Sequence, residues 1–411
     1  MVTKGPFPKG MNNRALDHEI PEGAVRNAVN GDFDQAGKFR TRAGYLKKYS
    51  GNFLRNGFSC PAGAFLIEGN TLKKVTVVSG VPTMSTLYKG ITGSPCAWLY
   101  HESTVYFSDG TTNLKIANGA AKKWGITPPD APVINSTAVG VFTAGRYMFV
   151  ATFVDSDGVE SGASDISSIT TSGTGGFTIT LPISDNSDVQ SVRIYASTPD
   201  GTTMYQVADV AAGTASYSLL TGTIGEGKPI GNLLFASPPP ACYMIRYYAG
   251  RLYLVTGTEI YTTLEFSYDH VNLDEGNISF LEEVDICEPV GNGIFVSAEQ
   301  TFFLAGRDPS KFDQQPKSSY KGVRGTGRQV QGTENPVAIW QSEDGATMGF
   351  SDGSIKNIQK DMVAPGGGEI GSSIIREHNG IRQFIASIAQ PSYSSLAANC
   401  WIGAEVIRRG A

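Results

Sequence analysis

The sequence predicts an all-β fold: a β-propeller of five or six blades, interrupted by an immunoglobulin- or fibronectin-like sandwich. Three observations carry that expectation. The first is composition, with 49 Gly and 21 Pro in 411 residues. Only 17% of residues are charged, against about 25% in ordinary soluble domains. Glycine, Thr and Ser between short apolar runs give many turns and short strands. The 40% hydrophobic content is enough to fill a core, which excludes wholesale disorder. The second is a recurring unit, an apolar strand, a tight polar turn and an aromatic-rich second strand. It stands at residues 64–78, 97–110, 246–257, 293–306 and 338–353. One four-stranded unit recurring every 40–50 residues or so marks a propeller. The third is a change of texture between two proline runs, Pro128-Pro129 with Pro132, and Pro238-Pro239-Pro240.

Taken in order, residues 1–50 form an N-terminal arm. Asp34 to Gly37 is turn chemistry between alternating segments, so a β-hairpin is expected there. Phe39, Thr41 and Ala43 would share one face, and Lys38, Arg40 and Arg42 the other. The arm holds nine Lys/Arg against five Asp/Glu. Its basic face reads either as a solvated strand face or as a docking strand for a partner or for phosphates. Residues 51–127 begin the propeller. Residues 128–228 form the insert: Tyr147 to Val154 alternates up to an Asp157-Gly158 turn, and four further short strands follow through Leu219. Short strands without a cysteine pair fit a sandwich. Residues 229–411 return to the propeller. Residues 50–125 and 230–400 together give about 245 residues, which at about 40–45 per blade gives five or six blades.

Charge and special residues narrow the function. The net charge of −5 argues against a surface that grips nucleic acid throughout. Cys60, Cys96, Cys242, Cys287 and Cys400 are scattered, without metal or redox spacing. They read as free thiols used as small hydrophobes. His18, His101, His270 and His378 are isolated, so no metal site is expected. No run of 18 apolar residues occurs, so no transmembrane helix is expected, and Met1 to Gly10 does not read as a signal peptide.

An enzyme is not expected either. The run Gly322-Val323-Arg324-Gly325-Thr326-Gly327-Arg328 and the run Gly366-Gly367-Gly368 lack the strand–loop–helix setting and the Lys-Ser/Thr of a phosphate loop. Asp155-x-Asp157-Gly158 begins like a calcium loop, but Ile166 stands where the twelfth-position Glu is required. Propellers host glycosidases that use two carboxylates, yet no spacing here singles out a pair. No cofactor is expected. Trp98, Trp124, Trp340 and Trp401 sit in or beside apolar segments and read as core.

Residues 23–45 read G-A-x-R-N-A-V-N-x-D-x-D-x-x-G-K-x-R-x-R-x-G-Y. This pattern resembles the N-terminal signature of tail nozzle, or tail hub, proteins of short-tailed bacteriophages. Residues 147–164 and 191–198 resemble the fibronectin-like module of that family. The similarity continues through P-P-P…Y-A-G-R-L-Y-L-V-T-G at 238–257 and F-F-L-A-G-R-D-P at 302–309. The resemblance implies a non-enzymatic structural protein of the virion tail, assembled in the host bacterial cytoplasm. It implies a homohexameric ring below the portal and adaptor, bound to them and to distal tail or fibre proteins. Double-stranded DNA would pass through without sequence recognition, and the chain would not insert into a membrane.

From Leu252 to Gly306 the chain carries ten acids and no Lys or Arg. A solvated acidic face is one reading. The other is a channel wall whose negative potential keeps phosphates from adhering, with Glu265, Asp269, Asp274, Glu275, Glu282 and Glu283 as its candidates. Lys38, Arg40 and Arg42 would then be assembly-docking residues. The alternative function is a carbohydrate-binding or adhesin-type propeller whose sandwich is the sugar module.

Overall fold

Leu252, Tyr253, Leu254 and Val255 are all fully buried, which a sheet with one solvated face cannot provide. Alternation sends Leu252 and Leu254 into a cluster with Ala97, Tyr106 and Trp124. It sends Tyr253 and Val255 the other way, against Cys287, Ile294 and Leu304. Ile294 and Val296 face the same cluster, while Phe295 faces Ala338 and Trp340. Ile339 in turn packs on Phe384 and Ala386. Each of these three sheets therefore has an apolar neighbour on both sides, the packing of stacked blades.

The computed structural model describes residues 5–411 apart from 30, 34–35, 42–45, 94, 274–275, 331, 333–334, 360–361, 364–367, 379–380, 390–406 and 409–411. Five sheets of antiparallel strands follow the chain order as meanders. Blade 1 is Leu54–Cys60, Gly63–Glu68, Thr71–Val78 and Val81–Lys89. Blade 2 is Ala97–His101, Thr104–Ser108, Asn113–Ala117 and Ala120–Lys123. Blade 3 is Met244–Tyr248, Arg251–Thr256, Glu259–Leu264 and Ser267–Val271, with Asn277–Ser279 also paired to Glu259–Leu264. Blade 4 is Ile286–Val290, Gly293–Ser297, Thr301–Ala305 and Asp313–Ser318. Blade 5 is Arg328–Val330, Val337–Ser342, Gly345–Gly349 and Ile355–Asn357. A sixth sheet contains Ile370–His378, Ile381–Ala389 and Ile407–Arg408. The first strands of blades 2 to 5 and of the sixth sheet stand side by side, so they line the axis. The fold is a β-propeller, and each of the five hairpins read from the sequence lies inside one blade.

Between blades 2 and 3 the chain leaves the propeller. Val133–Phe142, Gly175–Thr180 and Ser216–Leu219 form one sheet. Ser167–Thr171, Gly145–Asp155, Val189–Ser197 and Met204–Ala211 form the other. Phe149, Phe153, Phe177, Ile179, Val192 and Ile194 fill the space between them, so the insert is a two-sheet sandwich. The outer face of the four-stranded sheet carries Val150, Tyr195 and Met204. It is covered by Ile230, Leu233 and Leu234 from the exit segment. The two connections meet. Gly125 (φ +81°) lies so close to Pro238 and Pro239 that a Cβ there would sit 2.7–3.1 Å from them.

The N-terminal arm folds back onto blade 5. Asn13 N–H donates to the Met362 carbonyl at 3.0 Å, and Arg14 reaches Asp344 at 3.4 Å. From this anchor Gly10–Met11 pairs in parallel with Ala24–Val25, and Gly31–Phe33 pairs antiparallel with Phe39–Thr41. The hairpin buries less than alternation implied, since Phe39, Arg40 and Thr41 are all exposed. Phe39 still touches Phe33, at 5.3 Å between ring centroids.

Candidate functional site

The acidic stretch is not bare once folded, because other elements supply the cations it lacks. Glu265 is exposed at a blade 3 turn, 3.6 Å from Arg251. Asp269, on the outermost strand of blade 3, meets Lys115 of blade 2 at 3.1 Å, and Lys115 also lies 3.9 Å from Asp155 of the sandwich. Glu282 pairs with Lys321. Glu283 pairs with Arg324 at 2.5 Å, and the same guanidinium reaches Asp285 at 2.8 Å and covers the Tyr243 ring. Burial pushes the Asp285 carboxyl up, and Arg324 opposes that shift. The fold thus brings Glu282 and Glu283 together and places Glu265 and Asp269 elsewhere. Asp274 and Glu275 lie outside the described residues. The expectation of an uncompensated acidic face is corrected accordingly: each described candidate carboxylate has a basic neighbour.

The strands lining the axis hold a charge cluster that the sequence reading missed. Glu288, on the first strand of blade 4, is 1% exposed. It accepts from Arg246 of blade 3 at 3.1 and 2.5 Å, a two-pronged contact. Arg328, on the first strand of blade 5, stands beside them and donates to the Gly327 carbonyl. Burial, and then the nearby Arg246, push the Arg328 guanidinium down. Gly327 is closely fitted, since a Cβ there would fall 2.5 Å from a Glu288 oxygen. His101, on the first strand of blade 2, stacks on Tyr247 at 3.8 Å between ring centroids. The signal that could have found this cluster is a charged residue inside an otherwise apolar strand, as Glu288 is within Ile286–Val290.

At the arm, Lys38 and Arg40 are exposed, and Arg42 lies outside the described residues. Among the described residues up to 54, Leu16, Val29, Phe39, Leu46, Phe53 and Leu54 are exposed as well. Basic and apolar side chains displayed together suit a protein partner better than a phosphate backbone.

The remaining residues behave as structure. Asp155 closes its turn by accepting from the N–H groups of Asp157 and Val159, both at 2.9 Å. Among the described residues no three His, Cys, Asp or Glu side chains are grouped to hold a metal. Cys60, Cys96, Cys242 and Cys287 are free. Burial pushes the Cys242 and Cys287 thiols up to about 12, which keeps them protonated and inert. Trp124 and Trp340 are buried, Trp98 packs against Phe58 and Phe107, and Trp401 lies outside the described residues.

No family model and no curated protein matches the sequence. Solved structures similar to this chain include BBS1N in complex with ARL6DN, at 10% identity and a TM-score of 0.32, covering 81% of this chain and 88% of that one. The N-terminal domain of Nup159 follows at 11% identity and a TM-score of 0.26, covering 83% and 88%. The AfRom2 CNH domain matches at 8% identity and 0.24, covering 80% and 84%. At these scores the likeness carries no argument, and the fold rests on the order and packing of the sheets.

Proposed function

We propose that this chain is a structural protein of a phage tail, a nozzle or hub subunit. Copies of it, six by the resemblance of residues 23–45, would form a ring that continues the DNA-ejection channel below portal and adaptor. The observation that carries this reading is the N-terminal arm. The arm that carries the nozzle-like signature at 23–45 is anchored to blade 5 further upstream, through Asn13 and Arg14. It displays exposed Lys38, Phe39 and Arg40 on its hairpin. An anchored arm that presents both charge and apolar area is suited to hold a neighbouring subunit. In this proposal residues 128–228 are the fibronectin-like module, carried on the rim of the ring.

Compensated charge suits passage of a duplex. Affinity for DNA comes from cations that displace condensed counterions. Lys115, Arg251, Lys321 and Arg324 are each held by a carboxylate, so they offer phosphates little net attraction. Channel-facing carboxylates among Glu265, Asp269, Glu282 and Glu283 would act by occupying these cations, more than by a bare negative field.

The hairpin tests the proposal. Replacing Lys38, Arg40 and Arg42 by Glu should exclude the chain from assembled tails while leaving its circular dichroism spectrum and melting midpoint close to wild type. Normal incorporation of this variant would contradict a docking role.

A further inference from the structure

Two motifs singled out in the sequence, Y-A-G-R at 248–251 and A-G-R-D-P at 305–309, meet in space. The Tyr248 hydroxyl donates to the Gly306 carbonyl at 2.7 Å. The two segments, together with the Glu265-Phe266 turn, line an open cleft of about 470 Å³. Its lining includes Phe266, 72% exposed and held at φ +55°. A bulky residue in the left-handed region is strained by roughly 1–3 kcal/mol, and glycine or asparagine would occupy the turn at less cost. The backbone there is fixed, since Phe266 N–H donates to the Gly250 carbonyl at 2.8 Å. The ring lies over Gly250, where a Cβ would come within 3.0 Å of it. A strained aromatic, displayed to solvent on a glycine seat, is a platform.

The polar groups around it are unevenly matched. Arg251 donates to the Thr263 carbonyl at 2.9 Å and lies 3.6 Å from the exposed Glu265. Asp308 is engaged by Ser310 and by Lys311 at 3.1 Å. Arg307, exposed at the mouth, lies beside the Tyr248 hydroxyl and is in no ion pair among the described residues. The pocket therefore offers an apolar ring face, one guanidinium outside any ion pair among the described residues, and a carboxylate able to accept from hydroxyl groups.

We propose that this pocket binds a carboxylated sugar, a uronic-acid unit of an acidic glycan. The sugar carboxylate would take Arg307 in a two-pronged contact, the C–H face of the ring would lie on Phe266, and hydroxyls would donate to Glu265. An acidic peptide fits less well. Extended peptides gain affinity by pairing with a strand edge, whereas mainly turns line this pocket, and a peptide lacks the ring hydroxyls that would donate to Glu265. The site belongs to the chain whether or not it closes a ring.

The experiment is calorimetric titration of the full chain, at low salt, with a galacturonate tetrasaccharide, its neutral methyl ester, a glucuronate-containing tetrasaccharide and a Glu-rich peptide. The free acids should bind, and the ester about tenfold or more weaker, the loss expected with a charge-assisted pair. Arg307→Ala should lose binding by a similar factor with an unchanged melting midpoint. Phe266→Asn should also lose binding yet melt higher, because asparagine tolerates the left-handed turn. A purely structural Phe266 would not separate the two readouts in that direction. No binding of either uronate at millimolar concentration, equal binding of the ester, or binding of the peptide alone would overturn the proposal.

Discussion

Asp109 is 2% exposed, and both of its oxygens are occupied. Oδ2 accepts from the N–H groups of Thr92 and Gly93, and Oδ1 from the N–H groups of Thr111 and Thr112 and the Thr111 hydroxyl. Burial works against its charge, but these donors hold the carboxyl below its usual range. A depressed carboxylate contributes stability above the ordinary carboxylate pKa and loses it as pH falls through the folded value. Asp109→Asn turns an amide NH₂ toward donors and should cost about 2–4 kcal/mol at neutral pH. In urea titrations the gap from wild type should close as the solution is made more acidic; a gap independent of pH would contradict this assignment. Glu288 makes the parallel case at the axis. Glu288→Gln leaves Arg246 and Arg328 without their counter-charge and should cost roughly 3 kcal/mol. The double replacement Glu288→Leu with Arg246→Leu should recover part of that loss, and an additive double would mean the pair is not coupled.

At the scale of elements, the sequence showed the blade hairpins because their central strands are apolar on both faces. Gly293–Ser297 and Val337–Ser342 are buried at every position, so they stand out against any half-exposed strand. The outer strands were not legible. Val81–Lys89 and Asp313–Ser318 have no buried position and about half of their residues exposed, and nothing in their pattern separates them from loop. The sandwich strands were legible through alternation, as in Met204–Ala211 and Ser216–Leu219. What covers the sandwich was not: Ile230, Leu233 and Leu234 lie beyond residue 228, in the stretch the sequence assigns to the propeller, yet they seal Val150, Tyr195 and Met204. A fragment of residues 128–236 should therefore unfold cooperatively with a β-type circular dichroism spectrum. It should also melt several degrees above a fragment ending at residue 222, since burying one apolar side chain contributes about 1.5–3 kcal/mol. Equal midpoints would show that the exit segment does not cover the sheet in the isolated module.

For the whole molecule, charge was the least legible property, because its partners are far apart in the chain. Asp269 and Lys115 are separated by 154 positions, and Glu283 and Arg324 by 41, so a count of like charges along the sequence overstated the field. The arm is the counter-example: its signature, hairpin and exposed basic residues are local, and Lys38 and Arg40 were named from the sequence alone. Ring formation is the claim on which the tail reading depends, and a propeller monomer alone does not decide it. Electron microscopy of the purified full-length chain, alone and mixed with its portal-side partner, tests it most directly. The nozzle reading predicts closed rings, six copies by the family resemblance, enclosing an open channel, with the 31–41 hairpin at a subunit or adaptor boundary. Single propellers under both conditions, or open head-to-tail chains, would contradict it.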